Sequence, residues 1–269
     1  MKAWLAALGL LAGCAAPPEP EQEPRARPTI VSLNPCTDAI LAEVADPAQV
    51  LAVSHYSHDP RGTSMDLARA RRFAATGGTV EEVLALDPDI VVGTTFMDPA
   101  TRHALTGLGM RVETVGIAST VADSEAQVRV LATVAGHPAR GEALVGRIEA
   151  ALAKAEATGP AIDAVLWQPD GIVPGDGALI SELMRRTGFA SQTAARGFQQ
   201  ADYLSLERLL TDPPNVLLVA GSERGQHHPV LSRLPSMKRA ALDPALLYCG
   251  GPTIIRAAER LAAIRRSVS

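Results

Sequence analysis

Aromatic residues make up only 3% of the 269 positions, there are three cysteines, and no apolar run approaches the roughly 20 residues that a membrane-spanning helix needs. Channels and permeases are thereby excluded, as is a disulfide-framework mini-protein. Basic excess is missing too: 25 Lys plus Arg stand against 29 Asp plus Glu, a formal net charge of −4. Neutralising nucleic-acid phosphates would require the opposite balance. Among motifs, the sequence lacks Gly-x-Ser-x-Gly, the Walker phosphate loop, His-Glu-x-x-His and a Gly-x-Gly-x-x-Gly opening the first helix, so the enzyme classes those motifs mark have no support. Cys-x-x-Cys and zinc-spaced Cys/His clusters are also missing. What is present, 47% hydrophobic and 20% charged residues, is the composition of an ordinary globular protein.

The first residues read as a sorting signal. Met1-Lys2 supplies a positive charge, Ala3 to Leu11 form a short apolar run, and Leu11-Ala12-Gly13-Cys14 follows. This ending resembles the bacterial lipobox, which implies a signal peptide over 1–13 and lipidation of Cys14 as the mature N-terminus. Ala15 directly after Cys14, in place of Asp, points to the outer membrane. Residues 14–28 are then the anchor and an extended Pro/Glu/Gln/Arg linker. The expected location is the periplasm, lipid-anchored to a bacterial envelope membrane.

The body alternates strand and helix. Ile30 to Leu33 reads as a strand, Asn34-Pro35 as the cap and first position of a helix running to Val44, and Val50 to Val53 as a second strand ending in the polar loop Ser54 to Gly62. Thr79 and Glu82 mark a capping-box helix to Leu86, Ile90 to Gly93 is a strand, Pro99 to Leu108 a helix, and Arg111 to Val115 a strand. Two helical patterns, Val121 to Ala135 and Ala139 to Ala157, break the rhythm before Thr158-Gly159-Pro160 stops them. Alternation then resumes with strands at Ala164 to Trp167, Val216 to Ala220 and Leu246 to Tyr248. Helices are read at Gly177 to Thr187, Leu204 to Leu210 and Thr253 to Arg265. The pattern predicts an α/β fold of two Rossmann-like lobes, 29–137 and 159–269, bridged by one long interlobe helix over 138–158.

With Cys14 set aside, Cys36 and Cys249 lie one near each end of the folded region. They read as a disulfide across the lobes, as two free thiols, or, with His55 and His58 in the loop after the second strand, as soft ligands for a metal. His103, His137 and the pair His227-His228 read as solvated surface positions. Two phrases repeat between the lobes: Thr79-Val80-Glu81 leads a helix across Asp87-Pro88 into a strand, and Ser205-Leu206-Glu207 does so across Asp212-Pro213. Taken alone, a glutamate in a first helical turn is explained by the helix dipole.

Together, Ser32 to Asp38, Val53 to Pro60, Glu81 to Val91, Val173 to Gly177 with Leu183 and Gly188, and Ser205 to Glu207 resemble the iron-siderophore and cobalamin class of ABC-transporter substrate-binding proteins, over essentially all of residues 29–268. The resemblance implies a non-enzymatic, monomeric protein with no cofactor of its own. Such a protein captures a metal chelate, cobalamin-like or a ferric siderophore, in the interlobe cleft and delivers it to a permease dimer in the inner membrane. It further implies a cleft lined from Asn34, Cys36, Thr37, His55, Tyr56, His58, Phe96, Trp167, Tyr203 and Cys249, with Tyr56 and Trp167 as stacking surfaces. Glu81 and Glu207 would dock on permease arginines. Alternative readings are an envelope protein binding a bare transition metal through Cys and His, a chelatase-like enzyme with His55 or His58 as base, and a scaffold lipoprotein without ligand.

Overall fold

The computed structural model describes residues 27–199 and 201–268; the expected signal peptide, Cys14 and most of the linker lie outside them. The chain opens with β1 (Ile30–Ser32), buried throughout. At α1 (Pro35–Val44) the Asn34 Oδ1 accepts the Cys36 N–H and Pro35 takes the first position. Then come β2 (Val50–Ser54), a single-turn 3₁₀ helix over His55–His58, α2 (Leu67–Ala70), β3 (Ala75–Thr76), α3 (Val80–Leu86), β4 (Ile90–Thr94), α4 (Pro99–Gly107) and β5 (Arg111–Val115). The five strands form one parallel sheet in the order β3-β2-β1-β4-β5.

Next, α5 (Val121–Val134) and α6 (Pro138–Ala155) lead to the second lobe. It contains β6 (Ile162–Trp167), β7 (Ile172–Pro174), α7 (Leu179–Arg186), β8 (Phe189–Ser191), α8 (Gln192–Ala195), β9 (Ala201–Tyr203), α9 (Leu206–Thr211), β10 (Val216–Val219), β11 (Lys238–Ala241) and α10 (Thr253–Val268). Its main sheet is again parallel, ordered β11-β10-β6-β8, and β7 pairs with β9 as a small antiparallel ribbon. One expected strand is misplaced. Leu246 to Tyr248 is not a strand: a 3₁₀ turn covers Pro244–Leu246. The pairing edge is Lys238–Ala241, whose residues are mostly exposed and so carry no apolar signal.

Side-chain parity along the strands separates the cores. Ile30, Ile90, Val92, Ala164, Leu166, Val216 and Leu218 face a central core shared with α1, α5, α6 and α10. Val31 and Val91 face an outer core of the first lobe, whereas Val165, Trp167, Leu217 and Val219 face an outer core of the second. The central core runs without interruption from one sheet to the other: Leu144, Val145, Ile148 and Leu152 of α6 pack in it together with Ile40, Leu131, Ile254 and Leu261. α6 is the expected interlobe helix, and α1, α5 and α10 share its core.

A covalent tie adds to this shared core. Cys36, in the first turn of α1, is bonded to Cys249 of the second lobe with a Cα–Cα distance of 5.0 Å and a sequence separation of 213. The metal-ligand and free-thiol readings of the two cysteines fall with it, since a disulfide sulfur is no thiolate. Closing so long a loop restricts the unfolded chain, and the chain-entropy value is about 5 kcal/mol, an upper figure for real disulfides. Reduction, or serine at both positions, is expected to lower the urea midpoint accordingly; coincident denaturation curves with and without reductant would show that the bond adds nothing.

Candidate functional site

Each sheet has one topological switch point. In the first lobe the chain leaves β1 to build β2 and β3 on one side and β4 and β5 on the other. In the second, β6 is flanked by β8 on one side and by β10 and β11 on the other. Open α/β sheets bind ligands outside the carboxyl ends of strands at such points. A single dipeptide links the two points here. The Tyr248 hydroxyl donates to Gln168 Oε1 at 2.7 Å, directly after β6, and the next residue, Cys249, is bonded to Cys36, just after β1. The following glycines wedge this loop into the first lobe. A Cβ on Gly250 would lie 2.3 Å from Ser124 Oγ, one on Gly251 would lie 2.6 Å from Ile40 Cγ1, and the Gly251 N–H donates to Ser124 Oγ at 2.6 Å.

Around this junction stand exposed aromatic side chains. Tyr56, Phe96, Tyr203 and Tyr248 are 56%, 72%, 58% and 68% exposed. Tyr56 lies in the turn after β2, Phe96 directly after β4, and Tyr203 at the end of β9, paired with exposed Ile172 just beyond β6. The Tyr203 ring covers Gly171, where a Cβ would lie 2.6 Å from ring carbon Cε2. An aromatic-poor chain that leaves these four rings in water, beyond the carboxyl ends of its strands, offers a candidate binding face. Of the four, Tyr248 is absent from the sequence-derived residues. Its Leu246-Leu247-Tyr248 context reads as a strand, and only its neighbour Cys249 could have flagged it.

The other expected site residues divide. His55 is exposed, with its ring 4.0 Å from that of Tyr56 and Nδ1 donating to Thr76 O at 3.3 Å. His58 turns inward, Nε2 donating to Ala70 O at 3.1 Å. Asn34 is spent as the α1 cap. Thr37 is wholly buried, its hydroxyl shared between Ser32 Oγ and Asn34 O, so it lines no cleft. Trp167 is a second correction. It is 4% exposed, packs in the outer core, and donates Nε1–H to Leu204 O at 3.0 Å, so it is a structural residue and offers no stacking face. Cys36 and Cys249 supply structure through their bond rather than ligand atoms. Among the described residues no group of three or more His, Cys, Asp or Glu side chains is placed to hold a metal ion, and the disulfide takes both cysteines out of the expected Cys/His set. His137, expected in solvent, is buried against Gln49, Arg27 and Asp46. Burial, with Arg140 and Arg27 nearby, lowers its pKa.

Glu81 and Glu207 are exposed in the first turns of α3 and α9, whose caps Thr79 and Ser205 each accept the N–H three residues on. Hydrogen bonds from its own backbone N–H and from Ser205 hold the Glu207 carboxyl below the usual range. Glu82 accepts from the Thr76 hydroxyl and the Gly77 and Gly78 amides.

One acidic group lies beneath the site. Asp38 of α1 is fully buried, its Oδ2 accepting from the Ser54 N–H at 3.0 Å and from the Ser57 hydroxyl at 2.6 Å. Burial, only partly offset by the polar groups of Ser32, Ser57 and Ser54 beside it, pushes its pKa up from 3.8 to about 8. The folded chain thus holds this proton more tightly than the unfolded chain. The associated stability is complete below pH 3.8 and is lost progressively as pH rises to about 8. Denaturation series of the wild type and Asp38→Asn across that window check this: the wild type should lose ground to the variant up to about pH 8 and then hold a constant gap. Parallel curves would refute the shift.

Comparison with known proteins agrees with this geometry. The family model described as periplasmic binding protein matches residues 30–240. Against proteins of curated function the sequence finds no match. Among solved structures, the periplasmic heme-binding protein RhuT from Roseiflexus sp. RS-1 is similar at 21% identity and a TM-score of 0.69, over 89% of this chain and 97% of that one. The periplasmic vitamin B12 binding protein BtuF of Vibrio cholerae matches at 18% identity and a TM-score of 0.69, over 90% and 98%. The periplasmic heme-binding protein HutB of Vibrio cholerae matches at 17% identity and a TM-score of 0.71, over 88% and 98%. With two α/β lobes, a shared helical core and a matching family model over most of its length, this chain belongs to the periplasmic binding protein family and shares the two-lobed fold of these structures.

Proposed function

We propose that this protein is the lipid-anchored substrate-binding component of an ABC importer, which captures a metal chelate between its lobes and delivers it to a permease in the inner membrane. Cys14 would carry the anchor, and the linker up to residue 28 would give the body its reach. The observation that carries the reading is the set of four exposed rings, Tyr56, Phe96, Tyr203 and Tyr248, around two switch points that a disulfide and a hydrogen bond tie together. Flat aromatic faces suit a flat ligand, and a metal macrocycle of the corrin or porphyrin kind supplies one. The names of the similar structures, heme-binding and vitamin B12-binding, support the same ligand class. A polyanionic catecholate siderophore fits less well, because no arginine cluster was evident among the loops expected to line the cleft. His55 and Tyr56, with rings in contact, would approach the metal face of such a ligand. The protein binds and releases its ligand without turning it over.

Glu81 and Glu207 would orient the loaded protein on the permease, an arrangement that sets register and encounter rate more than affinity.

Titration of the purified full-length chain with cyanocobalamin, haemin and a ferric hydroxamate, followed calorimetrically and by ligand absorbance, tests the ligand class. Saturable binding of one macrocycle at micromolar concentration or below is expected. Tyr56→Ala and Tyr248→Ala should each weaken it about tenfold, the order of one lost aromatic contact of about 1 kcal/mol or somewhat more. Silence with all three ligands would overturn the reading. For the docking surface, charge reversal at both Glu81 and Glu207 should abolish uptake in cells and leave affinity intact; surviving uptake would reduce both residues to helix caps.

A further inference from the structure

The 3₁₀ turn that carries His55 and Tyr56 is held from below at two points. Asp38 Oδ2 accepts the Ser54 N–H at 3.0 Å on one side of the pair and the Ser57 hydroxyl at 2.6 Å on the other. Both contacts are buried, and one oxygen of one side chain makes them. Two further contacts of the turn are longer: Tyr56 N–H to Ser54 Oγ at 3.3 Å and Asp59 N–H to Tyr56 O at 3.2 Å. The other Asp38 oxygen, Oδ1, is buried with no hydrogen-bond partner. A buried acid with an orphaned oxygen is a poor choice for stability alone. Its neighbours on β1, β2 and the turn, Ser32, Ser54 and Ser57, are uncharged, and no cation contributes to its electrostatics. An alternative explanation as half of an ion pair is therefore missing.

The position of Asp38 supplies a different explanation. It lies two residues after Cys36 on the first turn of α1, and Cys36 is bonded to the residue after Tyr248. Tyr56 and Tyr248, one from each lobe, are thus fixed to the same helical turn, the first through Asp38 and the second through the disulfide. We infer that Asp38 is a positioning residue for ligand capture, which holds the Tyr56 turn in register with the Tyr248 loop so that both rings meet one ligand. The inference rests on the ligand-binding reading above and adds a residue that touches no ligand.

Three variants of the full-length chain, Asp38→Ala, Asp38→Asn and Ser57→Ala, are compared with wild type using cyanocobalamin and haemin as probes. Asp38→Ala removes both contacts and should weaken binding of the preferred probe tenfold or more. Asp38→Asn keeps a carbonyl acceptor at the same place and should restore affinity to within about threefold. Ser57→Ala removes one contact without disturbing the buried acid, should give an intermediate loss, and decides the matter if Asp38→Ala fails to fold. A coupling measurement separates positioning from general destabilisation. If Asp38 acts through Tyr56, the loss caused by Asp38→Ala, or by Ser57→Ala, should largely vanish in a Tyr56→Ala background. Affinities within twofold of wild type for Asp38→Ala and Ser57→Ala, or losses that simply add to that of Tyr56→Ala, overturn the inference while the binding function stands. A wild type that binds neither probe overturns the inference and the ligand reading together.

Discussion

The junction between the lobes depends on the short segment Tyr248 to Gly251. Its disulfide to Cys36, its hydroxyl bond to Gln168 and its glycine contacts with Ser124 and Ile40 bring the carboxyl ends of β1 and β6 to one place. The continuous core of α1, α5, α6 and α10 joins one face of each sheet, and the tie fixes which strand ends meet beside that core. A Cβ at either glycine would collide with the first lobe, so this approach of one lobe to the other is available only to a chain with glycine at both positions.

The rigidity that follows bears on how a ligand is held. Where lobes swing widely, part of the binding free energy goes into closing the cleft; where a shared core and a covalent bond fix them, the ligand meets surfaces already in position. Under the proposed function, four aromatic side chains would then suffice, although the chain has few. The cost appears elsewhere. Exposed Tyr56, Phe96, Tyr203 and Tyr248 contribute little to folding, and Asp38 is buried with an unpaired oxygen. Such local compromises concentrate where a structure is shaped for a partner.

Much of the scaffold was legible in the sequence because its central strands are continuous apolar runs. Ile90 to Val92 and Val216 to Val219 are buried on both faces, and a parallel sheet requires that pattern. Edge and ribbon strands were not legible. Lys238–Ala241 and Ala201–Tyr203 face solvent, so no hydrophobic period marks them. The direction of Trp167 was recoverable in principle: along β6 it shares parity with Val165, which faces the outer core, and not with Leu166. Tyr248 was hidden by an apolar context that imitates a strand. Asp38 was hidden by the opposite effect, since an acid in a first helical turn is expected from the helix dipole and its burial leaves no trace in sequence.

The same dipole argument bears on Glu81 and Glu207. Local physics accounts for an acid at each position, and the amide and hydroxyl bonds of Glu207 show it acting there. It does not account for the correspondence between the positions. α3 leads into β4, the neighbour of β1, and α9 leads into β10, the neighbour of β6, so each glutamate heads the helix that precedes the strand beside its lobe's switch point. Capping requires only that a helix begin with an acid and is indifferent to which helix. On the docking reading, a permease dimer would present the same basic surface twice and would need two acids related by an approximate two-fold axis. Under the docking reading the repeated phrase is the sequence record of that requirement, and the internal likeness of the lobes serves the partner's symmetry as well as the fold.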